Sequence, residues 1–242
     1  MQLAGSGIRK RLQRMKLRIK RWIIGILLVL CLSPFALVAA VKFIDPPVWS
    51  WQFQRWIDTP DNYPDTVQHQ WVSLNEISDN MQLAVIASED QLFPEHDGLD
   101  WKSIEKALAD RNAGKRTRGA STITQQTVKN LFLWPAKSYV RKGLEAGLAV
   151  IMDAMCDKQR ILELYLNIVE FGPGIYGVEA ASQHFFNRSA KQLTARQAAL
   201  LASVLPNPYR FNVAAPSNYM LKRVRWIMRQ MRQLGKATLA GL

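Results

Sequence analysis

With 242 residues, 48% of them hydrophobic, the chain has enough apolar material for one or two folded domains, which excludes an intrinsically disordered protein. The formal charge of +13 is unevenly spread: residues 1–21 carry eight Lys/Arg and no acid, residues 22–179 fourteen basic and nineteen acidic side chains, and residues 180–242 ten basic and no acid. Basic charge gathered at two ends does not describe a uniformly basic nucleic-acid binder, and two cysteines, Cys31 and Cys156, cannot alone build a disulfide framework or a zinc site.

In chain order, the first element is an apolar stretch without a charge from Trp22 to Val41. As a helix it spans the roughly 30 Å of a bilayer's hydrocarbon core, and Pro34 within it is tolerated in a packed or lipid-buried helix. The basic tail of residues 1–21 immediately before it sets the N-terminus in the cytoplasm and the remainder outside. A cleaved signal peptide ending at Val38-Ala39-Ala40 is the alternative, but the apolar stretch exceeds the usual h-region, which favours an uncleaved anchor. Residues 42–70 read as a juxtamembrane connector, opened by Asp45-Pro46-Pro47; its tryptophans Trp49, Trp51 and Trp56 suit either lipid headgroups or the domain that follows.

From residue 71 to 242 the pattern is helical. Ser78 caps an apolar helix that ends near Glu89, Asp100 caps a second that stops at Gly114, and Ser121 opens a third closed before Pro135. Helices follow from about Ser138 to Ala154 and Lys158 to Glu170, then one through Ala180 and Phe185, one capped by Thr194 and ended by Pro206, and a last over about 216–234. No strand pair stands out, so the expected fold class is all-α behind one transmembrane helix.

Two segments carry candidate chemistry. Glu89-Asp90 lies where an apolar helix gives way to a turn, in the pattern ED-x-x-F-x-x-H-x-G that includes Phe93, His96 and Gly98. A carboxylate at the end of a hydrophobic helix is either a solvated helix end or a partly desolvated base of raised pKa, and His96 lacks companions at metal-ligand spacing. In RGASTITQQTVKN, Ser121, Gln125 and Lys129 stand four apart, which on a helix makes one polar stripe suited to sugar hydroxyls and anionic oxygens, or to solvent. Lys137, Arg141 and Lys142 add cations, and Glu145 falls one turn after Arg141: either an intrahelical ion pair in solvent or part of a diphosphate cradle, acting directly or through a divalent ion.

These segments carry a resemblance. EDQLFPEHDG, RGASTITQQTVKN, RKGLE, KQRILELYLN with FGPGIYGVEAAS, and LTARQAALLASVLPNP are similar, in order, to five motifs of the family 51 glycosyltransferases, which polymerise lipid II, over about residues 71–212. With no room for a transpeptidase domain before residue 242, the likeness is to the monofunctional members. Asp153, where a Glu is commoner, and Val213, where a proline is commoner, depart from the pattern.

The resemblance implies a lysozyme-like α-helical fold and an inverting transfer that releases undecaprenyl diphosphate. The partners would be lipid II, the growing glycan strand and membrane lipid, together with cell-division or cell-wall synthesis proteins; nucleic acid is not among them. It implies Glu89 as general base and Glu145 as second carboxylate, assisting the leaving group through Mg²⁺ or Mn²⁺. Substrate would be held by Asp90, Ser121, Gln125, Gln126, Lys129, Asn130, Lys137, Arg141 and Lys142, with Tyr165 and Asn167 shaping the cleft. It also implies a site in the bacterial inner membrane, a periplasmic catalytic domain and inhibition by moenomycin. The competing reading is a membrane-anchored, lysozyme-like peptidoglycan hydrolase, which also uses acidic residues in a helical cleft but has no diphosphate to engage those cations.

Overall fold

The apolar stretch forms the C-terminal half of α1 (Leu3–Phe43), a helix of 41 residues with Pro34 inside it. Its segment Met15–Phe43 is long and apolar enough to cross a membrane. The computed structural model describes residues 3–61, 63–115, 119–136 and 138–242. The helices that follow are α2 (Ser50–Ile57), α3 (Asp79–Glu89), α4 (Trp101–Asn112), α5 (Ile123–Phe132), α6 (Tyr139–Met155), α7 (Lys158–Ile168), α8 (Val178–Phe186), α9 (Ala195–Val204), α10 (Asn218–Leu234) and α11 (Ala237–Ala240). The fold is mainly α, as expected.

Polar side chains set the helix starts. Ser78, Asp100, Ser138, Asp157 and Ser217 each accept a backbone N–H of the first turn, and Thr122 and Thr194 close capping boxes with Gln125 and Gln197. The cap of α5 is thus Thr122, one residue after the expected Ser121. Helix α3 is buried along every residue from Met81 to Ala87, and it packs against α9 and α10, while α5 packs between α6 and α7. Burial on all sides is what a central helix without a polar face requires, and it carries the Glu89 end of α3 out of the core beside α5.

One expectation needs correction. A three-stranded sheet exists, in the order β1 (Gln68–His69), β3 (Ile175–Tyr176), β2 (Glu170–Gly172). β1 runs parallel to β3, and β2 antiparallel to it with an irregular register. Helix α7 therefore ends at Ile168, and Glu170 belongs to a strand. The stretch read as connector is also structured. Trp49 is 2% exposed, edge-on to His69 and Tyr176 at 4.9 and 5.4 Å, so this aromatic packs on the domain. Phe53 and Trp56 of α2 face outward instead. Gly177, at φ +76°, lies so close to Asn167 that a Cβ would meet its carbonyl at 2.7 Å, which lets the sheet turn tightly into α8.

Candidate active site

Glu89 is the last residue of α3, with its side chain 13% exposed. Gln126 Nε2 donates to its Oε2 at 3.2 Å, Ser88 Oγ donates to its Oε1 at 3.3 Å, and Arg223 of α10 approaches Oε1 at 3.5 Å. Burial pushes the carboxyl above the ordinary Glu value of 4.5, against the opposing pull of Gln126, Arg223, Ser88 and Lys129. The Gln126 amide has a fixed sense: its Oε1 accepts from Tyr165 OH at 3.2 Å, which leaves Nε2 for Glu89. Full burial raises the Tyr165 phenol well above its usual pKa, so it remains a donor. Beside Glu89 opens a cleft of about 620 Å³, lined also by Asp90, Lys106, Ser121 and Trp226.

Asp90 braces the start of α5. It is buried, and its Oδ2 takes His96 Nε2 at 2.9 Å and the Ile123 backbone N–H at 2.9 Å, a carboxylate at a helix N-terminus as the dipole favours. Gly98, at φ +83°, brings this loop against α6, where a Cβ would meet the Ala149 carbonyl at 2.6 Å. Its own carbonyl accepts from Thr122 Oγ1 at 2.7 Å. Asp153, one of the two departures, accepts from Thr124 Oγ1 at 3.2 Å and pairs with Lys158 at 2.8 Å. Val213, the other, is buried at 4% exposure.

A second, cationic group forms around Glu145 of α6, whose side chain is 3% exposed. Arg141 holds its Oε2 at 2.9 Å and Lys142 holds its Oε1. Lys142 also donates to Ser121 Oγ at 2.9 Å, which joins the cluster to the cleft. Lys129 lies within the fields of both carboxylates. Burial pushes its pKa below the usual 10.5; Glu145 and Glu89 oppose that shift, and Arg141 and Lys142 reinforce it. Its ammonium sits 5.4 Å from the Trp51 ring centroid.

The structure thus gathers Glu89, Gln126, Ser121, Lys129, Arg141, Lys142 and Glu145 around one region. The polar stripe needs revising: Gln125 is 2% exposed and its Oε1 is spent on the Thr122 backbone N–H at 3.0 Å, so it shapes the entry of α5. Asn130 is buried, and Lys137 lies outside the described residues. Asn167 spans Val72 through both its amide groups at 2.9 Å, a structural brace of the segment before α3. Arg223 had no sequence signal, being 134 residues from Glu89.

A divalent cation fits this donor set poorly. Among the described residues no three His, Cys, Asp or Glu side chains converge, and both Glu145 oxygens already rest on cations. Two cations share that one carboxylate, which leaves the cluster with an excess of positive charge.

A desolvated carboxylate at a cleft thus lies near a cluster of cations, on a domain that also carries a helix long and apolar enough to cross a membrane. The transglycosylase family model matches residues 58–232, and the chain belongs to that family. It is 54% identical over 222 residues to the biosynthetic peptidoglycan transglycosylase of Vibrio parahaemolyticus, covering 92% of this chain and 99% of the relative. To the protein of the same name in Shewanella amazonensis it is also 54% identical, covering 92% and 90%. To that of Cronobacter sakazakii it is 50% identical over 231 residues, covering 93% and 91%.

Proposed function

We propose that this chain polymerises lipid II into β-1,4-linked glycan strands at the outer face of a bacterial cytoplasmic membrane, with the N-terminal tail inside the cell. The observation that carries the reading is the juxtaposition of Glu89, its pKa raised by burial, with Lys129, Arg141 and Lys142. A finished glycan has no diphosphate, so the hydrolase alternative leaves those cations without an anion.

In the reaction the acceptor's 4-hydroxyl oxygen bonds to the anomeric carbon of the growing strand, and the bond from that carbon to the diphosphate oxygen breaks. Glu89 takes the hydroxyl proton; the bonding electron pair leaves with undecaprenyl diphosphate, and the configuration inverts. Glu89 suits this task because its site disfavours the carboxylate, which makes it a stronger base than a solvated Glu. Gln126, held by Tyr165, orients it. Lys129, Arg141 and Lys142 face the charge that develops on the diphosphate, and Glu145 keeps Arg141 and Lys142 in place before substrate arrives. Exposed Trp134, Tyr139 and Val140 lie between Lys129 and Arg141 in the sequence and suit the headgroup level, where a lipid-linked diphosphate would lie. Incubation of the detergent-solubilised protein with lipid II tests the reading: chain growth supports it, and shortening of isolated sacculi without chain growth overturns it.

A further inference from the structure

The membrane helix is docked on the domain by its final turns. Val38 and Val41 are buried, in the stretch where α1 packs against α6. Arg160, in the first turn of α7, donates Nε and Nη2 to the Val41 carbonyl at 3.0 and 2.8 Å. Its Nη1 pairs with Asp45 at 2.8 Å and with Glu163, and the guanidinium lies 5.6 Å from the Trp71 ring centroid. In the reverse direction, Lys42 Nζ donates to the carbonyl of Met155, the last residue of α6, at 2.6 Å.

Helix C-termini end in carbonyls without intrahelical partners and carry partial negative charge. Here each helix end receives a cation from the other side of the junction: α1 from Arg160 of the domain, and α6 from Lys42 of the anchor. A flexible tether would need neither contact. The same α7 that carries Arg160 and Glu163 carries Tyr165, whose hydroxyl holds the Gln126 that holds Glu89. One helix therefore bears both the anchor clamp and the support of the candidate base. From Trp22 to Val41 a helix covers about 30 Å, which puts the docked turns at the outer edge of the hydrocarbon core.

We propose that Arg160, with Lys42, is a positioning residue that holds the membrane helix and the catalytic domain as one rigid body, fixing the height and tilt at which the Glu89 cleft meets a substrate embedded in the bilayer. The functional part of this inference rests on the lipid-linked substrate proposed above; the mechanical part does not. The test uses the full chain and its Arg160→Gln, Lys42→Gln and doubly substituted variants, with lipid II supplied either in liposomes holding the protein or in detergent micelles. The double variant is expected to lose about tenfold in liposomes, as small misplacements do, and to stay within about twofold of the parent in detergent. Arg160→Lys, which keeps the charge but not the forked contact, should recover part of the loss. Equal losses in both settings, or no loss in liposomes, would overturn the positioning role.

An activity-independent readout separates this inference from the proposed function. Spin labels at the exposed Cys31 and at Lys222→Cys, in a Cys156→Ala background, report the distance between anchor and domain in nanodiscs. A narrow distribution in the parent that broadens in the double variant is expected. A broad parent distribution, or one the substitutions leave unchanged, would overturn the clamp even if the protein polymerises lipid II; a narrow one that broadens would support it even if the parent polymerised nothing.

Discussion

Replacing Glu89 by Gln should make the protein more stable and inactive at once. The amide keeps the side chain's shape and, with its oxygen toward Gln126, that contact, while its NH2 can donate to Ser88 Oγ; it cannot take up a proton. General-base catalysis is worth about 10²–10⁴-fold, so lipid II polymerisation should fall by at least about 10²-fold. The stability change has the opposite sign. Burial raises the Glu89 carboxyl above 4.5, so the folded protein binds that proton more tightly than the unfolded chain. The stability this contributes is fully present below pH 4.5 and is lost as pH rises through the folded-state pKa. At pH 7.5 Glu89→Gln should therefore melt above the parent, and the two should converge toward pH 4.5. Thermal unfolding at both pH values, alongside a polymerisation assay on the same preparations, measures both effects. Polymerisation within about tenfold of the parent would remove Glu89 as the base, and a lower Tm at pH 7.5 would refute the desolvation argument.

Other consequences follow from the same geometry. The pH profile of kcat/KM should fall on the acid side with an apparent pKa above 4.5, and on the alkaline side with one below 10.5 as Lys129 loses its charge. Gln126→Leu removes the hydrogen bond that opposes the rise in the Glu89 pKa, so its acid limb should move to higher pH; an unmoved limb would detach Glu89 from the profile. Lys129→Ala and Lys142→Ala should each lose on the order of 10²-fold in turnover and bind moenomycin more weakly, while Lys191→Ala, at an exposed position outside the cluster, stays near the parent; three alike variants would reduce the cradle to a charged surface. Deleting residues 1–30 keeps the docked Val38 and Val41 and should leave Tm close to the parent, whereas deleting 1–45 forfeits their burial, worth about 1.5–3 kcal/mol each at most, and should lower Tm by several degrees. Equal melting of the two truncations would contradict the docking.

Local chemistry was the legible part. Ser78, Asp100 and Thr194 announced their helices because an N-cap is written in one to four adjacent residues, and ED-x-x-F-x-x-H-x-G marked the end of α3 where Glu89 stands. At α5 the local capping box Thr122-x-x-Gln125 sets the cap one residue past Ser121, and Thr122 also donates to the Gly98 carbonyl, 24 residues away. The sheet was illegible because its strands span only two or three residues, and β1 pairs with a strand over a hundred residues later. Arg223 was illegible for the same reason: its sequence neighbourhood reads as the basic face of an amphipathic helix, and only the packing of α10 on α3 aims it at Glu89. Gln125 departs from the polar stripe because periodicity reports which residues share a face, not which of them the capping box consumes.

The central claim is tested most directly by giving the purified full chain lipid II in proteoliposomes and following product size together with released undecaprenyl diphosphate. Glycan chains that lengthen as one diphosphate is released per lipid II joined, and that stop forming with Glu89→Gln, are the expected result. Diphosphate release without chain growth, or chain growth that persists with Glu89→Gln, would contradict it.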